Sequence, residues 1–270
     1  MIRKALVLAA ALVPALASAS ALTVKGSDTM VILAQRWAEA YMKQNPAKKV
    51  QVTGGGSGTG IAALINGTTE IANASRAMKD SEREKLRTRY NTLGTEVPVA
   101  RDGVTFYVNE ACPVDSLTIE QLRGIYTGEI ENWKDVGGPD ARIVVYSRES
   151  SSGTYVFVKE AVLTNRDYAP RAQTLPGTAA VVNAVAREKN GIGYGGAAYA
   201  KGVKELKIRV GEAAIGPTAE DVRSGRYPLA RSLFMYTRAR PGGDQKDFID
   251  YCLSPAGQQI VTQVGYFPVN

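Results

Sequence analysis

The stretch GGGSGTGIAAL, residues 54–64, decides how this chain is read. The preceding KKVQVTG has the pattern of a strand, and an apolar helical face begins at Ile61, so the glycines form a strand-to-helix turn. The start of a helix leaves backbone N–H groups unpaired at the positive end of the helix dipole, which suits an anion. Two nucleotide readings fail on detail. No Lys-Ser/Thr pair follows the glycines, as a phosphate-loop NTPase requires. No acidic residue closes a second strand about 20 residues on, as a dinucleotide fold requires.

The device recurs. SSSGTYVFV, residues 150–158, repeats Ser-Gly-Thr at Ser152, Gly153 and Thr154, and Arg148 stands just upstream. Arginine can meet two oxygens of a tetrahedral anion without losing its charge. A third turn, Gly26-Ser27-Asp28-Thr29, also introduces a helix. There Thr29 can offer a hydroxyl and an N–H. Asp28 is either a helix cap or a neighbour that tolerates an anion only through a shared proton. The chain thus carries anion cradles without evident phosphoryl-transfer machinery.

Composition narrows the function classes. The 270 residues are 44% hydrophobic and 22% charged, an ordinary globular balance for one large domain or two modest ones. MIRKALVLAAALVPALASAS pairs Arg3 and Lys4 with a short apolar run and an Ala-Ser-Ala site, the pattern of a signal peptide, assigned to residues 1–21. No cysteine lies near that site, so the expectation is a secreted periplasmic protein without a lipid anchor. Loss of Arg3 and Lys4 lowers the net charge from +7 to about +5. Its basic residues are dispersed among acids, which argues against nucleic acid. The absence of histidine and of any cysteine cluster excludes a zinc site and a histidine-based nucleophile. Cys112 and Cys252 are a candidate disulfide across distant parts of the chain, with two free thiols as the alternative.

Outward from the turns, the pattern is α/β. Strands are expected at LTVKGS, KKVQVTG, EIANAS, GVTFYVN, RIVVYS, GIGYGG and LARSLFMYTR. Helices are expected at 29–44, after the first glycine turn, after Ser81, at LTIEQLRGIYTG, at TAAVVNAVAREKN and at 243–254 and 255–264. Alternation of this kind predicts largely parallel pairing. The two similar halves suggest two lobes with ligand between them and chain crossovers near 98–103 and 227–232; one continuous sheet is the alternative.

KGSDTM, GGGSGTGIAALINGTTEIANASR, DGVTFYVN, SRESSSGTYVFV and GQQIVTQVGYFPV, in this order along nearly the whole mature chain, resemble the phosphate-binding proteins of Pst-type ABC transporters. The resemblance implies a type II periplasmic-binding-protein fold, with ligand in the interlobe cleft. Lobe one is expected at 22–101 and 229–270, and lobe two at 102–228. It implies a non-enzymatic monomer, without cofactor, that binds inorganic phosphate and delivers it to a membrane permease. The implied phosphate-binding residues are Asp28, Thr29, Ser57, Arg148, Ser152, Gly153 and Thr154, with Arg76 added at a departure. The best-known family pattern has an aspartate at the Arg76 position to accept the proton of hydrogen phosphate, and arginine has no acceptor. Asp28 is the candidate replacement, and Arg76 either contacts the anion or braces the cleft. A receptor for sulfate, molybdate or tungstate, or an extracellular adhesion or structural protein, is the competing expectation.

Overall fold

A computed structural model describes residues 21–269; the expected signal peptide lies, but for Ala21, outside the described residues. The chain begins with β1 (Leu22–Gly26), which buries alternate side chains. A 3-10 turn at Asp28–Met30 leads into α1 (Val31–Gln44), whose Leu33, Ala34, Trp37, Ala38 and Tyr41 form one buried stripe. Then come β2 (Val50–Thr53), α2 (Ser57–Asn66), β3 (Ile71–Ala74) and α3 (Asp80–Tyr90). Gly67 ends α2 in the left-handed conformation, the role its position predicts. A long strand, β4 (Thr95–Val108), leaves this half of the molecule.

The second half contains β5 (Ser116–Leu117), α4 (Ile119–Thr127), β6 (Val144–Arg148), α5 (Gly153–Ala161), β7 (Gln173–Leu175) and α6 (Thr178–Arg187). It continues through β8 (Gly191–Gly196), β9 (Lys204–Val210), β10 (Ala213–Ile215) and α7 (Ala219–Ser224). The return strand β11 (Ala230–Thr237) precedes α8 (Gly243–Leu253) and α9 (Pro255–Val264), which pack back on α1.

Strand pairing runs β2-β1-β3-β11-β4-β8-β6-β7. The outer members are parallel: β1 with β2 and β3, and β6 with β7 and β8. The centre is antiparallel, because β11 runs against β3 and β4, and β4 runs against β8 and β9. The expectation of largely parallel pairing is therefore corrected to a mixed sheet. Alternation of strands and helices describes the units within each half, but a chain that leaves one half and returns must lay its crossing strands in opposite directions. Hydrogen bonding is continuous through β4, yet the buried side chains separate. Trp37, Ile71, Met235, Phe248 and Val261 belong to one core; Phe106, Leu122, Trp133, Val158 and Tyr194 belong to another. The result is the two-lobed α/β fold of type II periplasmic binding proteins.

The candidate disulfide does not form. Cys112 packs in the second core and Cys252 in the first, and both are free. Compartment and parity suggested a pairing, but two thiols embedded in separate cores cannot approach each other. Burial pushes both thiols above their ordinary range.

One carboxylate between β4 and β9 gives a pH prediction. Glu205, whose register partner is Tyr107, is pushed up to about 7 by burial, with the charge of Asp102 adding to it. The folded chain then holds a proton that the unfolded chain has released, so stability falls as pH rises from Glu205's ordinary 4.5 to about 7. Glu205→Gln should flatten that decline and gain about 1–2 kcal/mol above neutral pH. Denaturant unfolding at pH 5 and pH 8 checks it; an unchanged pH slope in the variant would remove Glu205 as its source.

Candidate functional site

The two Ser-Gly-Thr turns fold as helix starts and meet. Ser57 is the first residue of α2, and Gly153 is the first of α5, capped by Ser152. Gly56 precedes α2 with φ 92°, and a Cβ there would come within 2.6 Å of the Ser151 carbonyl oxygen. Glycine is required at this point on both counts. Across the cleft, Gly58 N donates to Ser151 O at 2.8 Å and Ser151 Oγ donates to Gly55 O at 3.3 Å. A Cβ on Gly153 would overlap Ser57 Oγ and come within 2.6 Å of Ser75 Oγ. Two positive helix ends held this close repel each other, and an anion between them turns the repulsion into attraction.

The hydroxyls at these turns are arranged as donors. Ser152 Oγ accepts from the backbone N–H of Thr154 and of Tyr155, both at 3.2 Å, so its own proton is left to point outward. Ser57 Oγ accepts from Ser75 N at 3.0 Å, and Ser27 Oγ donates to Ser75 Oγ at 3.0 Å. Thr29 Oγ1 and Thr154 Oγ1, one from each lobe, lie 3.0 Å apart. All of these serines and threonines are buried.

Arg148 ends β6 only 1% exposed, and the lobes share it. Its Nη2 donates to Asp28 Oδ2 at 2.8 Å, a bond across the cleft. Its Nε and Nη2 grip Glu149 at 3.1 and 2.9 Å, and its Nη1 donates to Thr178 Oγ1 at 2.9 Å. Tyr194 supports the backbone from below, its hydroxyl accepting from Arg148 N at 3.2 Å. Burial works upward on the Glu149 carboxyl, but the hydrogen bonds and charge of Arg148 hold it below its ordinary range. Asp28 is fixed through both oxygens, since Oδ1 accepts from Gly55 N at 2.8 Å.

Thus Asp28, Thr29, Ser57, Arg148, Ser152, Gly153 and Thr154 gather around one interlobe point. Arg76 stands beside the start of α2, its Nη2 3.8 Å from where a Cβ on Gly58 would be, but its bonds run to α3. Its Nη1 and Nη2 donate to the two oxygens of Glu82 at 2.8 and 2.7 Å, and Nη1 also donates to Ala77 O. This bracing ties the end of β3 to the first turn of α3, where Glu82 also accepts from Lys79 N. Burial raises the Glu82 carboxyl and Arg76 lowers it, with the lowering dominant.

Sequence reasoning missed Ser75, Glu149, Thr178, Asp102 and Arg231. Arg231 had a readable signal: it falls in step with Leu233 and Met235 on β11, a charged residue on a core-facing strand position.

Residues 13–256 match the profile of a PBP superfamily domain. The phosphate-binding protein PstS of Pseudomonas aeruginosa is 34% identical over 263 residues, covering 90% of this chain and 81% of that protein. This chain belongs to the phosphate-binding protein family of the PBP superfamily. A Clostridium perfringens phosphate ABC transporter substrate-binding protein, solved with bound phosphate, matches with TM-score 0.85 and 30% identity, over 93% of this chain and 100% of that one. An ABC-type phosphate transport receptor of Vibrio cholerae matches at TM-score 0.74 and 32% identity, over 91% and 99%. Within the family fold, the paired helix starts of this member lie where the two lobes face each other.

Proposed function

We propose that this protein captures inorganic phosphate between its lobes and delivers it to the membrane permease of an ABC transporter. The observation that carries the reading is the convergence of two buried helix starts, at Ser57 and at Ser152–Thr154, on one point beside Arg148. The phosphate ligands are Asp28, Thr29, Ser57, Arg148, Ser152, Gly153 and Thr154, and Arg76 supports the rim through Glu82. Residues 22–101 with 229–270 form lobe one and 102–228 form lobe two, a division supported by the separate cores except at Leu229, which packs in the second. Residues 1–21 export the chain, which works in the periplasm as a monomer.

No chemistry is performed on the ligand. Opening admits the anion, and closure exchanges its water for oriented donors in a site of low dielectric. Asp28 supplies selectivity. Ser152 Oγ has both lone pairs engaged and the helix starts are donors, whereas the Asp28 carboxylate keeps lone pairs beyond its bonds to Gly55 and Arg148, so Asp28 is the acceptor for the proton of hydrogen phosphate. Sulfate brings no proton and meets only the carboxylate's repulsion.

Calorimetric titration of phosphate and of sulfate into wild type and Asp28→Asn tests this reading. Wild type should bind phosphate one to one. The variant should lose about 10-fold more affinity for phosphate than for sulfate. Equal losses would leave Asp28 only its bond to Arg148, and no phosphate binding by wild type would remove the function itself.

A further inference from the structure

Arg231 stands where the two crossing strands touch the site. It lies on β11 directly opposite Asp102 of β4 in the strand register. Its Nε and Nη2 both donate to Asp102 Oδ2, at 3.0 and 2.7 Å, and the two side chains are 4% and 0% exposed. This bond uses one edge of the guanidinium. From the other edge Nη2 donates to Thr154 Oγ1 at 3.0 Å and reaches Thr29 Oγ1 at 3.5 Å. Nη1 shares that edge with Nη2 by the planar geometry of the group, so one of its N–H vectors runs beside Nη2 toward the threonine pair. Nη1 is buried without a hydrogen-bond partner among the described residues. The ring of Phe157 covers the guanidinium face, with the Arg231 Cζ 5.3 Å from the ring centroid.

We propose that Arg231 is a positioning residue for the bound oxyanion, acting through the Thr29–Thr154 hydroxyl pair and anchored to both crossing strands by Asp102. An N–H donated to a threonine oxygen occupies one of its lone pairs, and the hydroxyl proton must then turn toward another acceptor. With Thr29 and Thr154 joined at 3.0 Å, one of the pair donates to the other and the remaining proton is offered to the ligand. Thr29 comes from lobe one and Thr154 from lobe two, so this chain of donors is completed only when the lobes close. Arg231 thereby links the hinge strands to the oriented state of the site. It also places a second cation behind the hydroxyls, balanced by a buried carboxylate, where Arg148 is balanced by two.

This inference rests on the phosphate reading, and the experiment separates the two. Truncating Arg231 alone would strand Asp102, so the test variant is Arg231→Gln with Asp102→Asn, which replaces the ion pair by a neutral hydrogen-bonding pair. Phosphate affinity of wild type, this double variant, Thr154→Val and the triple combination is measured by calorimetry, together with thermal unfolding of the ligand-free forms. The double variant should bind roughly 10- to 100-fold more weakly. Thr154→Val should add little further loss in that background, because both changes break the same chain. A merely structural Arg231 would lower ligand-free stability and leave the losses independent and multiplicative, which would overturn the proposal; so would wild-type affinity in the double variant. Should the double variant not fold, Arg231→Lys keeps the charge beside Asp102 without the second edge, and the same coupling with Thr154→Val is then expected. Absence of phosphate binding in wild type would instead defeat the phosphate reading.

Discussion

Gly153→Ala is expected to cost at least about 100-fold in phosphate affinity while leaving both lobes folded. The single added methyl would overlap Ser57 Oγ and press on Ser75 Oγ and Ser57 Cβ, the latter two at 2.6 and 3.0 Å. All three atoms belong to the opposite lobe, so the collision exists only when the cleft is shut. Neither is the backbone of Gly153 strained, since it is absent from the positive-φ glycines. Alanine suits the first turn of α5 at least as well as glycine. Ligand-free thermal stability should therefore match wild type or exceed it slightly, whereas the rise in Tm on adding phosphate should vanish. Calorimetry and thermal unfolding on the same samples check both halves of the statement. A Gly153→Ala protein that binds phosphate with wild-type affinity would show that the lobes do not need this close approach.

Arg148→Met is expected to remove phosphate binding by about 1000-fold or more and to destabilise the fold by about 3 kcal/mol. Arg148 is 1% exposed and compensates Asp28 on one lobe and Glu149 on its own. Without it, two half-buried carboxylates lose the cation they share, and an incoming anion adds to their repulsion. The two losses can be separated. Adding Asp28→Asn and Glu149→Gln removes the stranded charges and should recover most of the stability, but the affinity should stay lost because no guanidinium has returned. Arg148→Lys should bind weakly as well, since an ammonium's three N–H bonds would all be spent on Asp28, Glu149 and Thr178 and none would remain for the anion. Denaturant unfolding measures the first effect and calorimetry the second. Recovery of affinity along with stability in the triple variant would reduce Arg148 to a structural support.

Local sequence carried much of the site. A helix start needs only neighbouring residues, so the cradles at Ser57 and Ser152 were legible from glycine spacing and the apolar runs behind them. The bracing of Arg76 by Glu82 lies within one short segment and belonged to the alternatives that the sequence left open. Partnerships made through the crossing strands were not legible. Arg148 meets Asp28 across 120 residues, and Arg231 meets Asp102 across 129. Nothing in a periodic pattern specifies which distant carboxylate will stand opposite a given arginine. Strand direction failed for the same reason, because repeating βα units say nothing of the return path through β11. The seven-residue β9 was also overlooked: Leu206 and Ile208 alternate with charged neighbours, but Lys204, Glu205, Lys207 and Arg209 disguise the run as a polar loop.

On the proposed function, one tetrahedral anion is held by the starts of α2 and α5 together. An anomalous-difference map from crystals grown with arsenate tests it most directly, because arsenate shares the shape and protonation of phosphate. One dominant arsenic peak is expected between Ser57 and Ser152–Thr154, within reach of both helix starts and beside Arg148. A dominant peak on the protein surface, or one held by a single lobe with the other turned away, would contradict it.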